Sequence, residues 1–178
     1  MNTLLVNLYG GPCAGKSTVC CGLFYKLKKL GYDCEIASEF AKDKVWEESY
    51  KVLDDQIYVF GKQFHRLQRL NGKVEIIITD SPIPLCAYYD NGKTGKHYES
   101  LVFESLEKFN HIDYFIERGD SYNENGRIHT LEEATKIDKD IMSLLDKHEI
   151  KYDKVPQDIA VDYIVDKINT MSKKNGEL

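Results

Sequence analysis

One stretch constrains this chain more than any other: Gly10, Gly11, Pro12, Cys13, Ala14, Gly15, Lys16, Ser17. It meets the pattern G-x-x-x-x-G-K-[ST] at every fixed position. The apolar run Thr3–Tyr9 precedes it and suits a buried strand. Val19–Leu30 follows, with Leu23, Leu27 and Leu30 at helical spacing. Strand, glycine-rich loop and helix, in that order, form a phosphate-binding unit. Gly10 and Gly15 permit the tight turn that points successive N–H groups at phosphate oxygens. The helix that starts near Lys16 adds its positive dipole end. Lys16 can reach the β- and γ-phosphates, and Ser17 offers a hydroxyl to Mg²⁺. Gly10 to Ser17, with Thr18, are therefore expected to hold ATP with Mg²⁺. A glycine-rich turn without a ligand is the competing reading, and all the fixed residue types in the right context speak against it.

The 178 residues suit one domain spanning the whole chain, 1–178. Hydrophobic residues make up 42% and charged residues 30%, a globular composition. The net charge of −5 argues against a broad nucleic-acid surface. No apolar run reaches membrane-spanning length. Met1 leads directly into a strand without a signal-peptide pattern, so a cytoplasmic protein is expected. Cys13, Cys20, Cys21, Cys34 and Cys86 form no C-x-x-C pair and no zinc spacing, which suits reduced, mostly buried thiols. Cys13 lies in the phosphate loop beside a helix N-terminus, where a thiolate is favoured, and a tolerated variable loop position is the preferred reading.

Strand and helix signals alternate throughout, which predicts a parallel α/β sheet. The predicted strands after the first are 33–37, 74–79, 112–116 and 152–155. Residues 43–50 read as a short helix carrying Trp46, the sole tryptophan. Residues 53–70 read as a long helix with Ile57, Phe60, Phe64 and Leu67 inward. On that spacing, Gln56, Gln63 and Arg66 fall on a solvated face. Ser81 is expected to cap a helix that starts at Pro82. Residues 90–96 read as an exposed polar loop, and 97–109 as a helix. Thr130 and Glu133 read as a capping box, with Leu131, Ala134, Ile137, Ile141 and Leu144 inward. Pro156 is expected to open a last helix burying Ala160, Ile164 and Ile168.

In an open parallel sheet, ligands bind at the carboxyl ends of the strands. Polar residues cluster at those ends here: the phosphate loop, Glu39, Asp80 and the loop from Arg118 to Arg127. Asp80 follows an apolar strand, as a Mg²⁺-associated carboxylate does. Glu39 is placed to accept the proton of an attacking hydroxyl, with a surface glutamate as the even alternative. Arg118 and Arg127 bracket a polar loop suited to a lid that stabilises transferring phosphoryl oxygens. The five histidines are dispersed and form no metal or nucleophile constellation.

With these residues placed, the chain resembles the small phosphate-loop kinases of nucleosides and nucleotides. It is most similar to their ribosylnicotinamide-kinase-like group, which includes phage and bacterial ATP-binding proteins. The matching pieces are Gly10–Ser17, Ser38 to Lys42, Asp55 with Gln63, Thr79 to Ser81, and the arginine-bearing loop with Asn125, Gly126 and Arg127. Only the phosphate loop is specific, and the order of the weaker pieces carries the match over nearly the whole chain. The resemblance implies a P-loop fold, a five-stranded parallel sheet in the order 2-3-1-4-5, with Mg·ATP as donor and an arginine-bearing lid. It also implies an acceptor pocket to which Glu39, Trp46, Gln63 and Asp80 contribute. Glu39 followed by Trp46 is similar to the deoxynucleoside kinases. One departure is Ser81-Pro82, where thymidylate-kinase-like enzymes carry an arginine. This weakens an acceptor that already bears a phosphate, although Lys42 or Arg66 could supply that contact.

The leading expectation is an ATP-dependent kinase of a nucleoside or nucleoside monophosphate. Lys16, Glu39, Asp80, Arg118 and Arg127 are its catalytic candidates, and Ser17 and Asp80 its metal ligands. Two alternatives stand beside it. One is a kinase of a hydroxymethylated base in DNA, against which the acidic composition speaks. The other is an ATP-binding switch protein. The partner is then a small-molecule acceptor, and the oligomeric state stays open between monomer and homodimer.

Overall fold

The computed structural model describes residues 2–119 and 130–175. Five parallel strands form one sheet in the order β2-β3-β1-β4-β5. They are β1 (Leu4–Tyr9), β2 (Cys34–Ile36), β3 (Ile76–Thr79), β4 (Asn110–Glu117) and β5 (Tyr152–Pro156). The helices are α1 (Lys16–Lys29), α2 (Phe40–Trp46), α3 (Gln56–Gln68), α4 (Pro84–Asp90), α5 (Tyr98–Leu106), α6 (Leu131–Lys147) and α7 (Ala160–Asn175). A 3₁₀ turn at Tyr50–Asp54 joins α2 to α3. Among the described residues, no helix is long and apolar enough to cross a membrane.

Strand β1 lies at the sheet centre and is buried along its whole length. Its alternate side chains feed two cores, as the pleat requires. Leu4, Val6 and Leu8 pack with Leu23 and Leu27 of α1 and with Ile164 and Ile168 of α7. Leu5 packs on the other face with Val59, Phe60 and Leu67 of α3 and with Val102 and Phe103 of α5. Further along that strand, Tyr9 packs with Phe115, Ile141 and Leu145. Helices on both faces explain why the central strands read as continuous apolar runs. One polar rung interrupts them. Asn7 opposes Asp113 in the register, and its amide donates to Asp113 Oδ1 at 2.9 Å, while His111 Nδ1 bonds Asp113 Oδ2 at 2.5 Å.

Several local expectations are corrected. Helix α2 begins at Phe40 and ends at Trp46, ahead of residue 50. In α3, Ile57 is 59% exposed, and the buried stripe runs through Gln56, Val59, Phe60, Gln63 and Leu67. The glutamines therefore lie inward, because Gln63 Oε1 accepts the backbone N–H of Phe40 at 3.0 Å. That bond satisfies an orphan donor at the start of α2. Ser81 caps no helix: its own N–H donates to Thr79 Oγ1, and Pro84 is the proline that opens α4. In α6 the capping box is present, but Leu131 is exposed and Leu145 is buried in its place. Pro156 ends β5, and α7 starts only at Ala160, with Ala160, Ile164 and Ile168 buried. Leu30 is exposed beyond the end of α1. Asp90, expected in an exposed loop, is buried and accepts the Thr94 N–H.

Candidate active site

The phosphate loop connects β1 to α1 at the carboxyl edge of the sheet. Gly15 caps α1 with φ +86 and offers no side chain to the first N–H groups of the helix. Those donors stay available to an anion, which fits the binding of a phosphate. A Cβ at Gly15 would stand 2.3 Å from Gln157 Cδ, so residues following β5 press against the loop. Cys13 has φ +68, a left-handed conformation costing a non-glycine residue roughly 1–2 kcal/mol. Pro12, Ala14 and Thr18 complete the loop and the first turn of the helix, with Ala14 buried.

Lys16 folds back over the loop. Its Nζ donates to Gly10 O at 2.7 Å and to Gly11 O at 2.9 Å. Burial pushes its ammonium below the ordinary value, and the charges of Glu39, Asp80 and Asp138 oppose that shift. Glu39 responds in the other direction. Burial raises its carboxyl, Lys16 draws it down, and Asp80 pushes it up again. Lys16, Glu39 and Asp80 thus share one electrostatic site, although they come from three separate strand ends. Glu39 is the cap residue of α2, yet its side chain makes no capping bond.

Asp80 is buried at the end of β3, and Ser17 Oγ donates to its Oδ2 at 2.5 Å. Two oxygen donors thus converge beside the phosphate loop. The described residues hold no group of three or more His, Cys, Asp or Glu side chains able to bind a metal. This sparse oxygen set fits Mg²⁺, which keeps its waters and takes few protein ligands beside substrate phosphates.

The residues predicted for the acceptor side divide. Gln63 is buried, and its Nε2 has no hydrogen-bond partner. Arg66 is held by the structure itself: NH1 donates to Ser38 O and Ser38 Oγ, and NH2 pairs with Asp43. Lys42 is exposed and close enough for its charge to lower the Glu39 carboxyl. Trp46 is 81% exposed at the end of α2.

Arg118 stands just past β4. Its Nε and NH2 donate to Asp138 Oδ2 at 3.1 and 2.7 Å, and NH1 donates to Pro12 O at 3.0 Å. Arg127 lies outside the described residues, as do Asn125 and Gly126 of the expected lid.

Sequence reasoning missed three site residues. Asp138 sits within the α6 pattern and looks like any solvated helical carboxylate. Gln157 carries no motif. The hydroxyl of Tyr89, on α4, is pushed up to about 12, first by burial of the hydroxyl end and then by the charge of Glu39, although the residue as a whole is 49% exposed. Position at the carboxyl edge of the sheet could have flagged Gln157, but no signal in the sequence marks the other two.

Solved structures share this architecture. One is the NadR protein in complex with NR, at 17% identity and a TM-score of 0.66, covering 86% of this chain. The chain spans only 45% of that protein. Another is a thymidylate kinase from Ehrlichia chaffeensis, at 12% identity and a TM-score of 0.64, covering 94% of this chain and 100% of that one. A third is a shikimate kinase from Aquifex aeolicus vf5, at 16% identity and a TM-score of 0.52, covering 97% and 98%. At these identities the likeness is one of fold, that of phosphate-loop kinases. No curated protein matches the chain. The AAA domain family model matches residues 5–160, from β1 through the phosphate loop to the first residue of α7, and on that match the chain belongs to the AAA domain family.

Proposed function

We propose that this chain is an ATP-dependent kinase of a small molecule, with a nucleoside or nucleoside monophosphate as acceptor. The observation that carries the reading is the Ser17–Asp80 bond at 2.5 Å beside a phosphate loop whose lysine shares a field with Glu39. A binding loop alone would need no second carboxylate on the acceptor side. Ser17 and Asp80 would hold Mg²⁺, and Lys16 would hold the β- and γ-phosphates. The chemistry the ion would supply there is neutralisation of charge on the phosphate oxygens. Glu39 accepts the proton of the acceptor hydroxyl as that oxygen bonds to the γ-phosphorus. The bond from the γ-phosphorus to the bridging oxygen breaks, and ADP leaves. A raised Glu39 carboxyl suits a base that must take up a proton.

The choice of acceptor is supported by the sequence resemblance and by two of the similar folds, a protein solved with NR and a thymidylate kinase. The shikimate kinase keeps a non-nucleoside acceptor in the comparison. Labelled ATP should be offered with nucleosides, nicotinamide riboside, nucleoside monophosphates and shikimate. Transfer to a nucleoside or monophosphate is expected. Hydrolysis to inorganic phosphate with every acceptor would overturn the reading.

A further inference from the structure

Arg118 and Asp138 are 20 residues apart, one just past β4 and one within α6. Together they grip two successive residues of the phosphate loop. Asp138 Oδ1 accepts the Gly11 N–H at 2.5 Å, and Arg118 NH1 donates to Pro12 O at 3.0 Å. The carboxylate and guanidinium are themselves joined through Nε and NH2 at 3.1 and 2.7 Å. Both side chains are largely buried, at 13% and 14% exposure, so solvent screens the pair little. A planar guanidinium engaged through Nε, NH1 and NH2 fixes orientation as well as charge.

A second observation points the same way. The motif leaves the second loop position open, yet Gly11 stands there. A Cβ on it would meet Asp138 Oδ1 at 2.7 Å and Ala134 O at 3.0 Å. The loop is thus packed directly onto the backbone and carboxylate of α6.

We propose that Arg118 and Asp138 form a brace that sets the phosphate loop in its ATP-binding shape, making Arg118 a positioning residue. This rests on the proposed function only in taking the loop to bind ATP. The brace holds Gly11 by its donor and Pro12 by its acceptor, so the loop moves with α6. Loss of the brace loosens donors that hold phosphate equally in the ground and transition states. It therefore weakens ATP binding more than it slows turnover.

The test is calorimetric titration of ATP onto the full chain, with melting curves alongside. The variants are Asp138→Asn, Arg118→Ala, Arg118→Lys and the double Arg118→Ala/Asp138→Asn. Each single substitution is expected to weaken ATP binding about tenfold, a usual size for coupling between touching residues. The double should fall within about twofold of the weaker single, because the two act as one unit. Lysine should not restore affinity, since its single ammonium cannot take the separate positions of Nε, NH1 and NH2 that the guanidinium fork presents to Asp138 and Pro12 O. Additive losses, full rescue by lysine, or a lower melting temperature with unchanged ATP affinity would each overturn the brace. Asp138→Asn is nearly isosteric and keeps the test usable if Arg118→Ala does not fold. If the wild-type chain binds ATP but phosphorylates no acceptor, the kinase reading fails while the brace is still tested.

Discussion

Ser17 and Asp80 are 63 positions apart in the chain, and their side-chain oxygens lie 2.5 Å apart. Parallel pairing of β1 with β3 makes this contact, because it brings the phosphate loop and the end of β3 to the same edge. The Ser17 hydroxyl donates its proton to Asp80, which leaves its lone pairs available to a metal ion. Asp80→Asn keeps an acceptor for that proton and removes the charge. The Mg²⁺ concentration for half-maximal activity should rise about 10- to 100-fold, the usual effect of altering a metal's supporting carboxylate. A Mg²⁺ titration at saturating ATP measures it, and an unchanged midpoint would separate Asp80 from the metal.

Glu39 should behave differently. Glu39→Gln is expected to lower kcat by on the order of 10²-fold, with ATP affinity nearly unchanged. The lower end of the usual range applies because the transfer state is loose. The raised carboxyl also predicts a pH effect. Activity that needs the carboxylate should fall on acidification at a pH above the ordinary glutamate range, and Glu39→Gln should lose that limb. Stability changes with the opposite sense. A folded-state value above the unfolded one adds stability at low pH that is lost as pH rises through the folded value. Glu39→Gln should flatten that part of a plot of melting temperature against pH.

Lys16→Ala removes the cation that feels the charges of Glu39, Asp80 and Asp138 and bonds the loop carbonyls. Turnover should drop at least 10²–10³-fold, the loss seen when one donor to the developing charge is deleted. The chain should still fold, because Lys16 bonds only the loop's own carbonyls and not the apolar core. Circular dichroism and a steady-state assay check both halves, and full turnover in the folded variant would remove the loop from the chemistry.

Gln63 tests whether a residue proposed for the acceptor side also serves the fold. Gln63→Leu fills a similar volume but leaves the Phe40 N–H without its partner. A loss of about 1–3 kcal/mol is expected, the cost of one buried unsatisfied donor. Chemical denaturation measures it. Because Phe40 directly follows Glu39, kcat should fall as well, and a variant with reduced stability and unchanged kcat would make Gln63 purely structural.

The sequence by itself determined the phosphate loop, the alternation of strands and helices, and the capping box at Thr130 and Glu133. Each is a local matter: fixed residue types at short spacing, or hydrophobic period within one segment. The same local evidence misread α3. There the inward stripe passes through Gln56 and Gln63, and Ile57 is left in solvent. Apolar period assumes that burial follows hydrophobicity, and it cannot register that the Gln63 amide is needed inside to satisfy the N–H of Phe40. Asp138 was invisible for the same reason. Its pattern is that of a solvated helical carboxylate, and only the packing of α6 against Gly11 turns it toward the loop. Which strand ends share an edge, and which charges then face one another, was decided by the order of the sheet. Hydrogen bonds and ion pairs between residues far apart in the chain form only after the backbone has closed the distance.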